Sequence, residues 1–570
     1  MAKTPLFKQL RRIAREALGG HEPVAATLPT AKLPRRDFVS LALAVGATSF
    51  LTQVGCADDD EGVTPKPGGK RIAVVGAGIA GLHCAYRLML AGVECTVYDA
   101  SDRVGGRLYT GRGLFADNLS CELGGELIDT NHATMFGLAD ELGIVLDDRM
   151  KDVPQGYKAE VHFVGGKEVP EATIVADFAK VAPVMAKAVT DAEADDAKFA
   201  ALDGTSLAAW LDQNMPASTY PELHAILTSA YRGEFGLETS EQSALNLLYL
   251  IDYETPDPFH VFGDSDERYH THLGNDTFTT KLAEALPGQI ELGRKLVRAE
   301  SAGGAIDLTF EKTGGGELQV TVDHVVFALP FTLLREVDLA KLTLSDDKRS
   351  IIDELGYGTN SKVMGGYKSR PWKTLHNASG SVTTDLPFQQ SWDSSIGQAG
   401  AAGVLTNFLG GQEGVKSGQG SAEAWFAKVA QDLDQVFPGS LAEFDGSAAR
   451  MHWPTVPTAK GSYTCYKPGQ WAFSGSEGLR EGNVHFCGEH CSVDFQGWIE
   501  GAAETGGLVA AEILDTLGVT KPAAHAAFVA LKTVVPQPCY RATDRKALSF
   551  GARRTLLRRA RAERARATRG

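Results

Sequence analysis

The fold class of this chain can be predicted from residues 70–110, KRIAVVGAGIAGLHCAYRLMLAGVECTVYDASDRVGGRLYT. They open with a short apolar run, Ile72 to Val75, whose length and β-branched side chains are typical of a buried strand. Glycines in G-x-G-x-x-G spacing come next, and they are Gly76, Gly78 and Gly81. The apolar residues that follow recur with the i, i+3, i+4, i+7 spacing of an amphipathic helix, and they are Leu82, Ala85, Tyr86 and Met89. This order predicts a strand, a tight turn and a helix in direct succession.

The glycines of this turn and the strand after the helix predict what the unit binds. The first glycine permits the tight turn, the second lets a pyrophosphate approach the backbone, and the third lets helix and strand pack closely. The helix N-terminus offers unpaired N–H groups to the phosphates. A second apolar run, Glu94 to Tyr98, ends in Asp99, 18 residues beyond Gly81, where a carboxylate accepts hydrogen bonds from ribose hydroxyls. Together these features predict a dinucleotide-binding unit.

Length and composition exclude several classes of protein. The chain has 570 residues, 43% hydrophobic and 22% charged, which suits two to four globular domains. The formal net charge of −15 argues against a general nucleic-acid binder, which needs a basic face. The eight cysteines lack the paired spacing of a zinc site or a disulfide scaffold, and neither a metal-ligand cluster nor a Ser-His-Asp arrangement stands out. We therefore expect a globular α/β (mixed α+β) protein without a metal site.

The first 56 residues have the pattern of an export signal. Arg35 and Arg36 precede a moderately apolar run at residues 38–55, as in twin-arginine signals, and an uncleaved membrane anchor is the less favoured alternative. Cys56 closes the run where a bacterial lipoprotein would be cleaved and lipidated, and residues 57–69 are acidic and rich in Pro and Gly, as linkers are. We therefore expect export by the twin-arginine route to the periplasm, to a lipid anchor in the membrane, or out of the cell.

Two further glycine-containing stretches indicate which dinucleotide is bound. Residues 102–107, DRVGGR, and residues 121–129, CELGGELID, resemble two segments of the flavin-containing amine oxidase family, in the group of bacterial flavin monoamine oxidases and L-amino acid oxidases. In that family the first segment lies against the FAD pyrophosphate, and the second passes along the flavin ring. The resemblance continues in order to about residue 520. It implies FAD as the cofactor, in a discontinuous Rossmann-like FAD-binding domain interleaved with a substrate-binding domain.

The resemblance also implies a division of the chain into domains. The FAD-binding domain would comprise residues 70–145, 265–330 and 456–520, and the substrate domain residues 146–264 and 331–455. Within these ranges we expect surface loops near residues 395–420, which are rich in glycine, and a strand at residues 461–471 that returns to the active site. Residues 521–570 form a C-terminal segment whose basic tail is more typical of a solvated chain end than of a lipid-binding helix.

Positions that match the family imply which residues touch the cofactor. Leu296 matches a position whose backbone contacts adenine, and a helix at residues 502–514 would point its N-terminus at the flavin pyrimidine edge. Negative charge at that edge is stabilised by a helix dipole. The implied cofactor-binding residues are Gly76, Gly78, Ala80, Gly81, Asp99, Arg107, Gly124, Gly125, Glu126, Leu127, Leu296, Glu489, Trp498 and Ile499.

Three further matches imply catalytic residues. In the family, a lysine after small polar residues holds a water against flavin N5, and Lys362 in the segment YGTNSKVM matches it. A surface lysine at a strand edge is the alternative. Tyr463 and Trp498 match the two aromatic positions that flank the flavin face, where facing rings sort the incoming amine by shape and by the polarity of their π faces. Ordinary core packing is the alternative for both aromatic residues.

Two departures from the family pattern bear on the cofactor and the substrate. Ser462 stands where animal monoamine oxidases carry the cysteine that attaches flavin, so the FAD should be held non-covalently. Gly125-Glu126 stands where L-amino acid oxidases usually carry Met-Arg, so the arginine that would clamp a substrate carboxylate is missing unless another one supplies it. The candidates are Arg232, Arg268 and Arg370. This departure favours amines as substrates and leaves L-amino acids open.

The reaction implied by the resemblance is removal of a hydride from the carbon that bears a neutral primary amine. The products would be an imine, which water hydrolyses to a carbonyl compound and ammonia, and hydrogen peroxide from dioxygen, with the cofactor carrying the difficult step. The alternatives are L-amino acid oxidase or amino acid monooxygenase activity, a desaturase or porphyrinogen oxidase on the same fold, and a flavoprotein scaffold without turnover. The oligomeric state stays open, with a homodimer as one alternative.

Overall fold

The computed structural model describes residues 69–532. The predicted signal with Cys56, most of the predicted linker and the basic tail after residue 532 lie outside the described residues. The strands are β1 (Ile72–Val75), β2 (Thr96–Tyr98), β3 (Thr110–Gly111), β4 (Cys121–Glu122), β5 (Leu146–Asp148), β6 (Val161–Val164), β7 (Lys167–Glu168), β8 (Tyr269–Thr271), β9 (Ile290–Glu291), β10 (Arg294–Ala302), β11 (Ala305–Lys312), β12 (Glu317–Val322), β13 (His324–Phe327), β14 (Ser361–Tyr367), β15 (Val382–Thr384), β16 (Gln390–Asp393), β17 (Gly403–Leu409), β18 (Phe444–His452) and β19 (Val484–Phe486).

The helices lie between these strands and after the last of them. They are α1 (Ile79–Leu90), α2 (Ala133–Leu142), α3 (Glu171–Ala194), α4 (Asp196–Asp203), α5 (Leu207–Asn214), α6 (Pro221–Phe235), α7 (Ala244–Leu250), α8 (Asp276–Glu284), α9 (Phe331–Leu334), α10 (Asp346–Glu354), α11 (Pro371–Thr374), α12 (Gly411–Lys416), α13 (Ala422–Val436), α14 (Ile499–Leu517) and α15 (Ala523–Lys532). Among residues 69–532, no helix has both the length and the apolar character needed to cross a bilayer.

A five-stranded parallel sheet carries the predicted dinucleotide-binding unit. Its strand order is β19-β13-β1-β2-β9, and each neighbouring pair is parallel. Because side chains alternate along a strand, Ile72 and Val74 of β1 pack with one apolar cluster, and Ala73 and Val75 pack with another on the opposite face. The carboxyl ends of β1, β2, β13 and β19 meet at one edge, which is where ligands bind in open parallel sheets.

A seven-stranded mixed sheet forms the second part of the structure. Its strand order is β18-β14-β17-β16-β15-β6-β7, and its neighbours are antiparallel except β15 with β6. Strand β14 is buried along its whole length between β17 and β18. Directly paired residues share a face of a sheet, so Lys362 of β14 lies on the same face as Phe408, Gln390 and Met451.

The mixed α/β fold class is confirmed, whereas the domain boundaries themselves remain predictions. All strands of the parallel sheet come from residues 72–98, 290–327 and 484–486, and all strands of the mixed sheet come from residues 161–168 and 361–452. The helix expected at residues 502–514 is longer than predicted, because α14 begins at Ile499 and ends at Leu517.

Two local predictions are wrong. Residues 403–409, expected in a surface loop, form β17, an inner strand between β14 and β16. The prediction was wrong because it followed the glycines around these residues instead of the short apolar run that the residues form. The strand expected at residues 461–471 is an irregular segment in which Thr464 makes a single bridge to Tyr357. Its backbone groups form hydrogen bonds with the loop at residues 356–358 and do not form a continuous ladder with a neighbouring strand. The segment then turns at Gly469, which has φ +86°.

Candidate active site

The glycine turn between β1 and α1 forms an open cradle at the carboxyl edge of the parallel sheet. A Cβ on Gly81 would lie 1.9 Å from the Gly76 carbonyl oxygen, and a Cβ on Gly76, which has φ +114°, would lie 2.6 Å from the Ala328 oxygen. A Cβ on Gly78 would meet no atom within 4 Å. Thus the first and third glycines are required by protein packing, and the second faces free space. This geometry fits a pyrophosphate that approaches the N-terminus of α1.

Asp99 and the second glycine stretch lie against this cradle. The Asp99 carboxylate accepts hydrogen bonds from the N–H groups of Ala77 and Ser101, at 2.7 and 2.8 Å. Burial raises its pKa, although these hydrogen bonds oppose the effect. Each carboxylate oxygen has a second lone pair for a ribose hydroxyl. The N–H of Gly105 in turn donates to the Ala77 oxygen at 2.9 Å, so the segment DRVGGR lies directly beside the first turn.

Other predicted cofactor residues come to the same edge. The Arg294 N–H donates to the Asp99 carbonyl at 2.7 Å, which brings the start of β10, and Leu296 with it, beside Asp99. The backbone of Ala80 in the first turn of α1 touches α14, because a Cβ on Gly506 would lie 2.1 Å from the Ala80 oxygen. The predicted residues of the ADP half of the site are therefore close together.

Gly124 and Gly125 serve a packing role that sequence reasoning did not foresee. A Cβ on Gly124 would lie 1.9 Å from the Arg107 carbonyl oxygen, and one on Gly125 would lie 2.9 Å from a side-chain carbon of Ile499. The two glycines let this segment pass between the backbone of Arg107 and the start of α14, and Leu127 follows half-buried in the same segment. We expected glycines here for approach to a ring, whereas the structure shows that close packing of protein segments alone demands them.

An ion pair between Arg107 and Glu489 joins three distant parts of the chain. Arg107 Nη1 lies 3.0 Å from Glu489 Oε1 and also donates to the Ser462 carbonyl at 2.5 Å. The other Glu489 oxygen accepts the N–H of Gly497 at 2.9 Å. Ser462 and Gly497 immediately precede the predicted aromatic residues Tyr463 and Trp498. One buried carboxylate and one arginine therefore position the backbone next to both aromatic residues.

Tyr463 and Trp498 are both half-buried. The Tyr463 hydroxyl donates to the Glu234 carbonyl at 2.6 Å, and desolvation, followed by the charge of Glu234, raises the pKa of the phenol. Trp498 occupies the N-cap position of α14 and packs in part against the apolar core, so the packing alternative holds for part of its surface. Their role at the flavin face stays a prediction.

Lys362 is buried, so the alternative of a surface lysine is wrong. Its ammonium donates to the carbonyl oxygens of Glu122 and Gly124, at 3.1 and 2.9 Å, and to Glu126 Oε2 at 2.7 Å. It also lies 5.3 Å from the centre of the Trp392 ring. All three ammonium hydrogens thus have protein acceptors. A water held by Lys362 would have to share one of them, and that role stays a prediction.

Glu122 and Glu126 are two buried acids with opposite electrostatics. Burial disfavours the charge of Glu126, but the Lys362 ammonium and a nearby Arg149 lower its pKa below the ordinary value. Burial raises the pKa of Glu122 to about 8, and the charge of Glu126 adds to the shift. Ser394 donates to Glu126 Oε1 at 3.0 Å. The pKa of one acid is therefore lowered beside a lysine while that of the other is raised by burial, and contrasts of this kind are found at functional sites.

The three arginines considered for a substrate carboxylate are engaged elsewhere. Arg232 pairs with Glu238 at 2.9 Å, Arg268 pairs with Asp148 at 2.7 Å, and Arg370 donates to the carbonyls of Ala402 and Gln398. Sequence reasoning missed Arg149, whose charge acts on Glu126 and whose guanidinium donates to the Glu267 carbonyl at 3.0 Å. No local sequence pattern marks Arg149, because its neighbours come from distant elements.

Ser462 stands at the position of covalent flavin attachment, and Cys465 is the cysteine nearest to it in the sequence; both have other contacts. The Ser462 hydroxyl donates to Asn360 Oδ1 at 2.5 Å. The Cys465 thiol is buried beside Asn246 Nδ2, at 3.6 Å. Cradles of this kind, at the carboxyl edge of a parallel sheet, are typical of oxidoreductases that use a nucleotide cofactor, and the protein falls into that class.

Comparisons with known proteins narrow the class to a family. The model for flavin containing amine oxidoreductases matches residues 79–514, so the chain belongs to that family and is an oxidoreductase with a flavin cofactor. It is 24% identical over 463 residues to YobN of Bacillus subtilis (strain 168), covering 78% of this chain and 94% of YobN. It is 26% identical over 489 residues to the flavin-dependent L-tryptophan oxidase RebO of Lentzea aerocolonigenes, covering 77% and 96%.

The fold is also that of a solved structure. Cyclohexylamine oxidase from Brevibacterium oxydans IH-35A superposes with a TM-score of 0.67 at 20% identity, over 79% of this chain and 100% of that one. At this identity the likeness concerns the fold. It agrees with the monoamine oxidase-like arrangement expected from the sequence.

Proposed function

We propose that the protein is an FAD-dependent oxidase that converts the C–N bond of a primary amine or L-amino acid to an imine and reduces dioxygen to hydrogen peroxide. The observation that carries this proposal is the Arg107–Glu489 pair, which fixes the backbone next to Tyr463 and Trp498 beside the segment that holds Lys362. The names of the relatives support the substrate class, because one is an L-tryptophan oxidase and the solved structure is a cyclohexylamine oxidase.

The cofactor would be held by the residues of the parallel-sheet edge. The turn with Gly78 and the N-terminus of α1 would bind the pyrophosphate. Asp99 would bind a ribose hydroxyl, and the backbone near Leu296 would contact the adenine. The start of α14 at Ile499 would present its positive end to the flavin. Bound flavin supplies hydride acceptance and electron transfer to dioxygen. Because the hydroxyl of Ser462 and the thiol of Cys465 lie against other protein groups, we propose that the FAD is held without a covalent bond.

The chain's own residues bind, orient and desolvate the substrate. The half-buried rings of Tyr463 and Trp498 would orient the amine and exclude water from it. Desolvation lowers the pKa of an amine, which favours the neutral form that can release a hydride. The pair of Lys362 and Glu126 keeps both of their charges compensated within the protein.

An anaerobic titration tests this function. Addition of an amine or an L-amino acid to the holoprotein should bleach the flavin absorbance, and readmission of dioxygen should restore it with formation of hydrogen peroxide. Acid precipitation of the same preparation should release the flavin into solution. If neither amines nor amino acids bleach the flavin, the protein is not an amine oxidase, and the desaturase or scaffold alternatives take its place.

We further propose that the protein is exported in folded form by the twin-arginine route, to the periplasm, to a lipid anchor at Cys56 or out of the cell. The support is the position of Arg35 and Arg36 before the apolar run at residues 38–55. Replacement of both arginines by lysine should leave flavin-loaded, full-length protein in the cytoplasm, and unchanged export would contradict the proposal. Labelling with a fatty acid, compared between the natural chain and Cys56→Ala, tests the lipid.

A further inference from the structure

Four polar side chains form a buried network next to the segments that carry Tyr463 and Trp498. They are Lys348 of α10, Tyr466, Glu477 and Gln496, and each of them is at most 4% exposed. The proposed reaction uses none of the four. Lysine and glutamate are among the residues that are least often buried completely. Their place in the interior therefore requires an explanation.

The Tyr466 hydroxyl is the centre of this network. It donates a hydrogen bond to Glu477 Oε1 at 2.5 Å and accepts one from Gln496 Nε2 at 2.9 Å. The same amide nitrogen also donates to the His490 carbonyl oxygen at 3.1 Å, so both of its hydrogens have acceptors. One hydroxyl therefore ties together three stretches of chain, around residues 466, 477 and 496.

Lys348 holds the loop that carries Glu477. Its ammonium donates to the carbonyl oxygens of Ser476 and Glu477, at 2.9 and 2.6 Å, and lies 4.2 Å from the centre of the Phe486 ring. Burial raises the pKa of Glu477 to about 7, although the hydrogen bond from Tyr466 and the charge of Lys348 oppose the effect. Glu477 is therefore fixed through its backbone as well as through its carboxyl group.

Tyr466 and Gln496 lie in the two segments that carry the predicted aromatic residues. Tyr466 comes three residues after Tyr463, and Gln496 comes two residues before Trp498. The hydrogen bond between the Tyr466 hydroxyl and the Gln496 amide joins these two segments directly, across 30 residues of chain. The network therefore links the backbone beside one ring to the backbone beside the other.

The Arg107–Glu489 ion pair provides a second point of attachment for both segments. Arg107 donates to the Ser462 carbonyl, and Glu489 accepts the N–H of Gly497. The first segment is thus held on both sides of its aromatic residue, at positions 462 and 466, and the second is held at positions 496 and 497. Two points of attachment fix the direction of a backbone segment, whereas one point lets it pivot.

We propose that Tyr466 and Glu477 are positioning residues for the oxidation of the amine. Acting through Gln496, they keep the rings of Tyr463 and Trp498 at the spacing that orients the substrate. This inference rests on the proposed amine oxidation, because it concerns the two rings assigned to that reaction. A misplacement of about 1 Å can slow an oriented reaction about 100-fold. Buried charged groups often add no more stability than apolar side chains of the same volume, so we assign this network to orientation.

Stopped-flow measurement of the two half-reactions of the holoprotein tests this inference. The substrate is the compound that bleaches the flavin fastest in the anaerobic titration, beginning with cyclohexylamine and L-tryptophan. Tyr466→Phe removes only the hydroxyl, so the rate constant for flavin reduction divided by the apparent Kd should fall about 10- to 100-fold. The reaction of the reduced flavin with dioxygen needs no oriented substrate and should stay within about 3-fold. Glu477→Gln keeps an acceptor for the Tyr466 hydroxyl, so its loss should be at most about 5-fold.

A second measurement reports on the two segments without turnover. Hydrogen–deuterium exchange of residues 462–466 and 496–498 should be faster in Tyr466→Phe than in the natural chain, because a segment held at one point opens more often. Unchanged exchange, unchanged reduction, or an equal loss in both half-reactions would each show that Tyr466 is not a positioning residue.

A combined variant and a control separate positioning from a loss of stability. In the Trp498→Ala background, Tyr466→Phe should cause less than about one third of its loss in the natural chain, because one of the positioned rings is gone. The same loss in both backgrounds would contradict the inference. Glu141→Gln breaks the ion pair between α2 and Arg87 of α1, and it should lower the thermal midpoint without changing the ratio of the two half-reactions.

The outcomes also distinguish this inference from the proposed function. If the natural chain is bleached and Tyr466→Phe behaves like it, the inference alone is refuted. If no amine or amino acid bleaches the natural chain, the proposed function fails and this inference fails with it.

Discussion

The two regions of this site differ in how far the sequence predicts them. They are the cofactor edge, at the carboxyl end of the parallel sheet, and the substrate side, around Lys362 and Glu126. At the cofactor edge, Gly76, Gly78 and Gly81 lie within six residues; close packing requires the first and third, the second leaves space for a ligand, and together they form a local pattern. On the substrate side, Lys362 meets Glu126 across 236 residues, and no local pattern marks the pair. Backbone constraints can therefore be found in one short stretch, whereas charge pairing between distant elements appears only in the folded chain.

The largest effect should come from the third glycine of the cradle. In Gly81→Ala the new methyl group would lie 1.9 Å from the Gly76 carbonyl oxygen, so α1 cannot keep its place on the sheet. We expect a loss of more than about 3 kcal/mol of stability and of nearly all bound flavin. Flavin content per chain and the thermal midpoint measure both.

Gly78→Ala is the matched variant, because its methyl group would meet no protein atom within 4 Å and its φ of −76° suits any residue. Stability without added flavin should change by less than about 1 kcal/mol, while flavin affinity falls at least about 10-fold because the methyl group occupies the approach of the pyrophosphate. Full flavin affinity in Gly78→Ala would mean that the cofactor does not use this turn.

The second prediction concerns the buried pair on the substrate side. Lys362→Met leaves the Glu126 carboxylate buried without its cation, which should cost about 3 to 5 kcal/mol. The double variant Lys362→Met/Glu126→Gln removes both charges, so its loss should be smaller than the sum of the single losses. Thermal and denaturant unfolding of the holoproteins give the comparison.

An exposed pair with the same geometry provides the control. Lys158 and Glu168 also lie 2.7 Å apart, but both are about half exposed, so Lys158→Met should cost less than about 1 kcal/mol. Equal losses of stability for the buried and the exposed pair would remove the contrast between the two sides of the site.

In Lys362→Met, flavin reduction by substrate should fall modestly, whereas the reaction with dioxygen should slow about 10- to 1000-fold.

The residues that could be predicted from the sequence are those with a local or family pattern. The turn with Gly76, Gly78 and Gly81 and the acid Asp99 follow from spacing alone, and Arg107 and Glu489 follow from the resemblance. What the sequence did not reveal is that Arg107 and Glu489 bind each other across 382 residues. Knowing that two positions serve one site does not give the contact between them.

The residues that could not be predicted owe their role to elements far apart in the chain. Arg149 and Glu267 come from segments 118 residues apart, and the hydrogen bond from the Arg149 guanidinium to the Glu267 carbonyl appears only in the folded chain. Strand β17 was missed for a related reason, since an inner strand gains its stability from the two strands beside it rather than from its own glycine-rich sequence. Context of this kind overrides local propensity.

The smallest effect we predict is a pH dependence that arises at Asp129, which supports the Glu267 backbone. Burial would raise the pKa of Asp129, but the neighbouring His132 and the Glu267 N–H outweigh it and lower the pKa to about 2, below the ordinary 3.8. A folded-state pKa below the unfolded value stabilises the protein above about pH 4, and this contribution is lost as the pH falls towards 2. The contribution of Asp129 to the free energy of unfolding is about 2 kcal/mol.

In Asp129→Asn the thermal midpoint should drop at neutral pH, and the decline of this midpoint between pH 4 and 2 should be shallower than in the natural chain. Asp353→Asn, at an exposed position on α10, should keep the natural slope. Parallel acid profiles for the natural chain and Asp129→Asn would show that Asp129 does not carry this stabilisation.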